Sequence, residues 1–447
     1  MSKLIAYFRV ALKNRAFLKA FRAVEARSKE PYEMQKQRQL EQLNRLLTHA
    51  YEKVPYYHKL LSDLNLVQNN RVRLKRVSDL EKIPFLTKDI IRKEGERLYA
   101  SDHKNRLSYS NSSGGSTGEP VTFLQDAHYR KSNQLQAQLT YAWRGLGLYD
   151  DMVVIWGAER DIFEGKKSWR GRLEDLYLSR TVLNSFSMDE GEMRNYLQVL
   201  NRKRPKLIKA YAQSIYELAK FAKKEKIDVA PQQAIHLAAG TVYPSMRHLI
   251  EEVFSSQTYN HYGSREVGAI ASECAEQNGL HIMMEHTLVE VINEEGAPCQ
   301  VGEQGEIVVT TLENHSMPLI RYRIGDIGIL QAYQVCGCGC GYPKLEKIVG
   351  RTTDLFKTRD GKKIDGEYFT HLFYFRAWVE QFQVIQEDLD RILIKVVTSE
   401  APPQSDLLEI EKKIKLVMGT HCEVTFEFVT TIPKTVTGKF RYTLSKL

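Results

Sequence analysis

The stretch SYSNSSGGSTGEP, residues 108–120, sets three Gly and five Ser or Thr between Ser110 and Gly118. Such residues build no core, and the run makes a poor helix or strand. Glycine reaches φ > 0 and lets backbone amides close around an anion. Gly114, Gly115 and Gly118 would give that freedom, and Ser112, Ser113, Ser116 and Thr117 would add hydroxyl donors. A flexible surface loop fits the same composition. The run is neither a P-loop, since no Gly-Lys-Ser/Thr ends it, nor a GxGxxG dinucleotide fingerprint.

Strands and helices alternate downstream of it. DMVVIWG reads as a short buried strand, PKLIKAYAQSIYELAKFAKKEKI as strand, turn and amphipathic helix, and AIHLAAGTVYP with MRHLIEEVF repeats the unit. That order predicts α/β architecture with a largely parallel sheet. After residue 280, LVEVINEEGAPCQVGEQGEIVVTTL alternates apolar residues between Gly-centred turns, as antiparallel hairpins do. Upstream, residues 1–100 read mostly helical. After Arg351 the elements are short and mixed, as in a small α+β domain of about ninety residues.

With 447 residues the chain has room for two or three domains. No apolar run approaches the ~18 residues of a bilayer span, and the N-terminus lacks the apolar block of a signal peptide. A cytoplasmic protein is the expectation. The net charge of +9 is a mild excess that suits solubility. In the first thirty residues only Glu25 and Glu30 oppose the cations, and Ile5, Phe8, Leu12 and Phe17 recur at helical spacing. Such a segment suits peripheral contact with an anionic membrane surface, or packing on its own protein. No motif supports nucleic-acid binding.

Four segments give the Ser/Gly run partners. YGSREVG (262–268) carries Glu266, RYRIGD (321–326) ends in Asp326, GRTTD (350–354) joins Gly, Arg and Asp, and PKTVTGKFR (433–441) carries Lys439. Each is weak alone. Together, in this order, they resemble the adenylate-forming superfamily of acyl-CoA synthetases and adenylation domains. The likeness is to the phenylacetate–CoA ligase-like branch, including CapK-like proteins associated with capsular polysaccharide synthesis.

The resemblance implies a large domain over 1–350, with sheets flanked by helices plus an antiparallel β subdomain, and a mobile α+β lid over 351–447. It implies ATP-dependent activation of a carboxylic acid as the acyl-adenylate, then transfer to a thiol of CoA or a carrier. Residues Ser112 to Gly118 would wrap the β- and γ-phosphates, and Glu266 would hold Mg²⁺, a hard cation that wants carboxylate oxygen. Asp326 would take the ribose hydroxyls. Gly240, Thr241, Asn260 and Tyr262 would border the adenine, within a motif that continues through Gly263 and Ser264. Arg351 would reach ribose or phosphate. Lys439 would neutralise charge as carboxylate meets the α-phosphate. Arg265, where Thr or Ser is common, would supply charge near the phosphates or pair with an acid. Glu119 and Thr353 also depart from the family pattern. Trp156, Tyr211 and Tyr243 are the candidates for the acyl pocket. The acceptor, thiol or amine, stays open. So do an adenylyltransferase, an amide-forming ligase and an inactive scaffold.

The six cysteines crowd three into VCGCGCGYP. In a cytosolic chain that points to metal or redox chemistry. Cys336 and Cys338 form one short pair, Cys274 and His281 another, and two such pairs can make a tetrahedral structural zinc site, as in some relatives. Cys340 is one ligand too many, and His286 rivals His281.

Overall fold

The computed structural model describes residues 15–447 except 114–120, 149, 157–178, 186–187, 241, 352–354, 374–375 and 434–440. Two short hairpins come first, β1 (Val67–Gln68) with β2 (Arg71–Val72) and β3 (Tyr109–Ser112) with β4 (Thr122–Gln125). An 11-stranded sheet dominates the large domain. Its strands are β5 (Met152–Ile155), β6 (Arg180–Leu183), β7 (Leu207–Tyr211), β8 (Ala234–Ala238), β9 (Thr258–Ser264), β10 (Gly268–Glu273), β11 (Leu280–Ile282), β12 (Thr287–Ile292), β13 (Gln304–Thr311), β14 (Tyr322–Leu330) and β15 (Lys344–Arg351). The spatial order is β12-β13-β14-β15-β11-β10-β9-β8-β7-β5-β6.

From β6 to β9 every pairing is parallel, and from β9 to β12 every pairing is antiparallel. The antiparallel strands are therefore continuous with the parallel ones in a single sheet. The expected strands of the α/β half are all present. The helix Ala212–Lys224 follows β7 directly, without the expected turn.

Three helices cover one face of the parallel half. Glu190–Lys203 is N-capped by Asp189, whose carboxylate accepts from Glu192 N, and Pro244–Phe254 carries its proline where no backbone donor is needed. With Ala212–Lys224 they bury Ile208, Ile235 and Leu237. The antiparallel half packs instead on the helices Tyr32–Lys53 and Pro55–Asp63, through Leu43, Leu46, Leu47 and Tyr57.

The first described helix, Arg15–Ser28, packs on the protein itself. Phe21 and Val24 meet Leu139, Met284 and Tyr342, and Arg27 forms a bidentate pair with Glu285 at 2.6 and 2.7 Å. Residues 1–14, with Ile5, Phe8 and Leu12, lie outside the described residues. No described helix is long and apolar enough to cross a membrane.

The C-terminal region begins with the antiparallel pair β16 (Leu355–Lys357) and β17 (Lys363–Asp365) and forms its own sheet, ordered β20-β19-β18-β21, from β18 (Val379–Asp388), β19 (Arg391–Thr398), β20 (Glu423–Phe428) and β21 (Thr443–Ser445). Its core is separate: Phe369, Phe373, Phe382, Ile394, Ile410 and Ile414.

Candidate functional site

The Ser/Gly run is a hairpin loop. Contrary to the expectation of a poor strand former, Tyr109–Ser112 pairs antiparallel with Thr122–Gln125, with Ser112 opposite Thr122. Cross-strand partners override weak intrinsic propensity here. Ser113 closes the loop: its N–H donates to Val121 O and its Oγ accepts from Val121 N, both at 2.9 Å. Gly114, Gly115, Ser116, Thr117, Gly118 and Glu119 lie outside the described residues. At the base of β4, Gln125 Nε2 donates to the carbonyls of Arg265 (2.7 Å) and Glu266 (3.3 Å). The hairpin is thus tied to the second motif.

That motif is the tight connection between β9 and β10. A Cβ on Gly263 would stand 2.4 Å from the Gly268 carbonyl, so the backbone approach there admits only glycine. Ser264 Oγ caps the turn, accepting from Val267 N at 3.4 Å, and Glu266 is buried. Tyr262 points across to the third motif and donates its hydroxyl to Asp326 Oδ2 at 2.8 Å. Asp326 in β14 faces Arg351 in β15, and Arg351 Nε lies 3.3 Å from Asp326 Oδ1.

A lysine that no motif announced completes this group. The segment before it docks on β14, since Leu86 N donates to Arg321 O (2.9 Å) and Leu86 O accepts from Arg323 N (3.0 Å). Thr87 then caps the next helix, accepting from Ile90 N, and Lys88 enters the site. Burial pulls the Lys88 ammonium below the usual lysine range. Glu266 and Asp326 push it back up, and Arg351 adds to the fall. Burial, followed by the charge of Glu266, also raises the Tyr322 phenol. Glu266, Asp326, Arg351 and Lys88 therefore lie within electrostatic reach of one another. Nothing local in LTKD signals this. Lys88 is far upstream in sequence, and only strand docking brings it in.

Gly240, Trp156 and Tyr211 sit at the carboxyl ends of β8, β5 and β7, where open α/β sheets bind ligands. The Trp156 and Tyr211 rings are 4.0 Å apart between centres. Tyr243 is buried, and its ring meets Tyr442 edge-on at 6.1 Å. Asn260 uses its backbone N–H to donate to Glu273 Oε2 at 2.7 Å. Thr241 and Lys439 lie outside the described residues.

Cys274, His281, Cys336 and Cys338 come together, with ligand atoms all within 4.8 Å of one another. Cys274 Sγ is 3.7 Å from Cys336 Sγ, and Cys338 Sγ is 3.4 Å from His281 Nε2. A zinc tetrahedron with Zn–S of about 2.3 Å and Zn–N of about 2.0 Å has edges of roughly 3.8 and 3.5 Å. The donor set fits. His281 Nδ1 lies 3.0 Å from Tyr342 O, which directs Nε2 inward. A hydrogen bond from Cys338 pulls the Cys274 thiol down, while Cys338 itself is pushed up by Cys274. His286 turns elsewhere, to Ser132 Oγ at 2.9 Å. Cys340 is outside the four, and burial pushes its thiol up to about 12. Cys274 follows the far end of β10 from Glu266, roughly 20 Å along the strand.

Fold and motif order together define the class. A family model described as the CapK C-terminal domain matches residues 356–446. The chain is 26% identical to Protein CapK of Staphylococcus aureus, covering 98% of this chain and 96% of that one. It is also 26% identical to a phenylacetate-coenzyme A ligase of Thermus thermophilus, with 83% of each covered. Among solved structures, 2-hydroxyisobutyryl-CoA ligase in its postadenylation state aligns with TM-score 0.74 at 20% identity, over 94% of this chain and 91% of that one. The fold is that of the adenylate-forming ligases, and over most of its length the chain is similar in sequence to ligases of acyl-CoA synthetase type. Within that class its likeness is to CapK and the phenylacetate–CoA ligases.

Proposed function

We propose that this protein joins a carboxylic acid to ATP as an acyl-adenylate, releasing pyrophosphate, and passes the acyl group to the thiol of CoA, releasing AMP. The observation that carries the reading is the convergence of Glu266, Asp326, Arg351 and Lys88 beside the Ser/Gly hairpin. A carboxylate oxygen attacks the α-phosphorus, and the bond to the pyrophosphate oxygen breaks. Positioning and charge neutralisation give most of the help such a displacement needs. In this reading Ser112 to Gly118 wrap the β- and γ-phosphates, with Lys88 and Arg265 adding cations. Glu266 would hold Mg²⁺, which when bound would supply neutralisation of phosphate charge. Asp326 takes the ribose hydroxyls once Arg351 turns towards phosphate. Gly240, Thr241, Asn260 and Tyr262 border the base, Trp156, Tyr211 and Tyr243 border the acyl group, and Lys439 approaches on the C-terminal domain.

The four-residue cluster is proposed as a structural zinc site, remote from this chemistry. A role in polysaccharide biosynthesis belongs to the same proposal, supported by the CapK likeness across both parts of the chain. The test is pyrophosphate release with ATP and Mg²⁺ across a panel of carboxylic and amino acids, followed by thioester detection with CoA. Release with at least one acid is expected. No release with any acid overturns the reading.

A further inference from the structure

A lysine in the middle of a parallel strand is out of place, because such strands are covered on both faces and are usually apolar throughout. Lys209 is the third residue of β7, with β5 on one side and β8 on the other. Its neighbours in register are Val154 and His236, and His236 is in turn opposite Tyr259. Two residues further on, the same face carries Trp156, Tyr211 and His261. The opposite face, with Ile208, Ala210, Ile235 and Leu237, is the apolar one buried by helices. The polar residues therefore gather on the face that Trp156 and Tyr211 share. Lys209 and Trp156 are only partly buried there, so packing does not seal the face.

Among the described residues no carboxylate pairs with Lys209, and its Nζ lies 5.2 Å from the centre of the Trp156 ring. The two histidines beside it are also incompletely used. Arg144 Nη1 donates to His236 Nδ1 at 2.6 Å, which leaves the proton of the imidazole on Nε2. His236 is 1% exposed, and its Nε2 has no partner among the described residues. The ring of His261 is 4.6 Å away, and its buried Nδ1 is likewise unpartnered. Burial lowers both histidines well below their usual range, helped by Lys209 and Arg144, so both stay neutral at pH 7. Buried polar groups without partners are costly unless something else satisfies them.

We propose that the acid activated by this protein carries a second anionic group, which pairs with Lys209 and accepts a hydrogen bond from His236 Nε2. The inference rests on the function proposed above and narrows its substrate class. With an apolar monocarboxylic acid bound, no described residue would satisfy the ammonium and the imidazole donor, and sites of this kind reject analogues that lack the matching group. A carboxylate or a sulfonate would each satisfy the same partners.

The test measures kcat/KM for pyrophosphate release on matched acids: pentanoate, glutarate and 4-sulfobutyrate, then phenylacetate and 4-carboxyphenylacetate. The members with a second anionic group should exceed their monoanionic partners by roughly 10²-fold, and the carboxylate and sulfonate arms show which anion is taken. Lys209→Met should collapse that ratio, and Lys209→Arg should retain most of it, with thermal melting confirming that both variants fold. Preference for the monoanionic members, or a ratio that Lys209→Met leaves intact, overturns the inference while the activity stands. Release with no acid at all overturns the activity and the inference with it.

Discussion

Lys88 and Asp326 show how much of this site depends on charges already engaged with protein partners. Asp326 accepts from the Tyr262 hydroxyl and lies against Arg351, so the site holds an ion pair that a nucleotide must divide. Lys88 feels the charges of Glu266, Arg351 and Asp326, and burial outweighs the acids to lower its affinity for a proton. The cation is therefore lost at a pH below the usual lysine range. If Lys88 binds phosphate, kcat/KM for ATP falls on the alkaline side as that proton leaves, and the rate is full at lower pH where the ammonium is intact. Lys88→Arg should remove this fall, because the guanidinium does not deprotonate in the range. Lys88→Met should lower kcat/KM for ATP by roughly 10-fold or more at neutral pH, the magnitude of a lost charge-assisted hydrogen bond. An alkaline limb that is unchanged in Lys88→Arg would remove Lys88 from phosphate binding.

At the scale of elements, the sheet explains why some of the site was legible in the sequence and some was not. Motifs that sit on one tight turn read directly: Gly263 is fixed by its 2.4 Å approach to the Gly268 carbonyl, and Ser264 and Glu266 follow on the same connection. The alternation of strand and helix from β5 to β9 read directly as well, because each strand is short, apolar and followed by an amphipathic helix. Lys88, Arg144 and His236 did not, because their partners come from other segments and no local pattern encodes a docking register. The hairpin strand Tyr109–Ser112 was masked by its own composition and is formed by its pairing with β4. The cysteine cluster falls between these cases. Two short pairs gave the candidates, but His281 is separated from His286 only by where β11 points its side chains. That cluster joins the end of β10 to β11 and to the loop before β15, so a metal there would brace three strands. Protein purified without chelator should hold about one zinc per chain. Cys336→Ser should lower both the zinc content and the melting temperature, whereas Cys340→Ser should spare the zinc. Far less than one zinc in the unaltered protein would mean that these are ordinary thiols.

At the scale of the whole molecule, the C-terminal sheet has its own core and touches the large domain through few described polar contacts. Tyr442 donates its hydroxyl to Gln213 Oε1 at 2.8 Å, and Lys220 Nζ reaches Glu380 O at 3.3 Å. A junction of that kind permits relative motion of the two parts; the hinge position expected from the family resemblance, Thr353, lies outside the described residues. Tyr442 packs on Tyr243 beside the proposed acyl pocket, three residues after Lys439 in the chain. A lysine so carried can serve one half-reaction and be withdrawn for the other, which is gating by a conformational step. The prediction separates the two steps. Lys439→Ala should slow adenylation, measured as ATP–pyrophosphate exchange, by roughly 10²-fold or more, the loss expected for one donor to a developing charge. Thioester formation from supplied acyl-adenylate and CoA should largely survive, because that step has no α-phosphate charge left to neutralise. Equal losses in both measurements would mean that the lysine acts by holding the domains together, and the assignment of the C-terminal domain as a lid for the first half-reaction would fall.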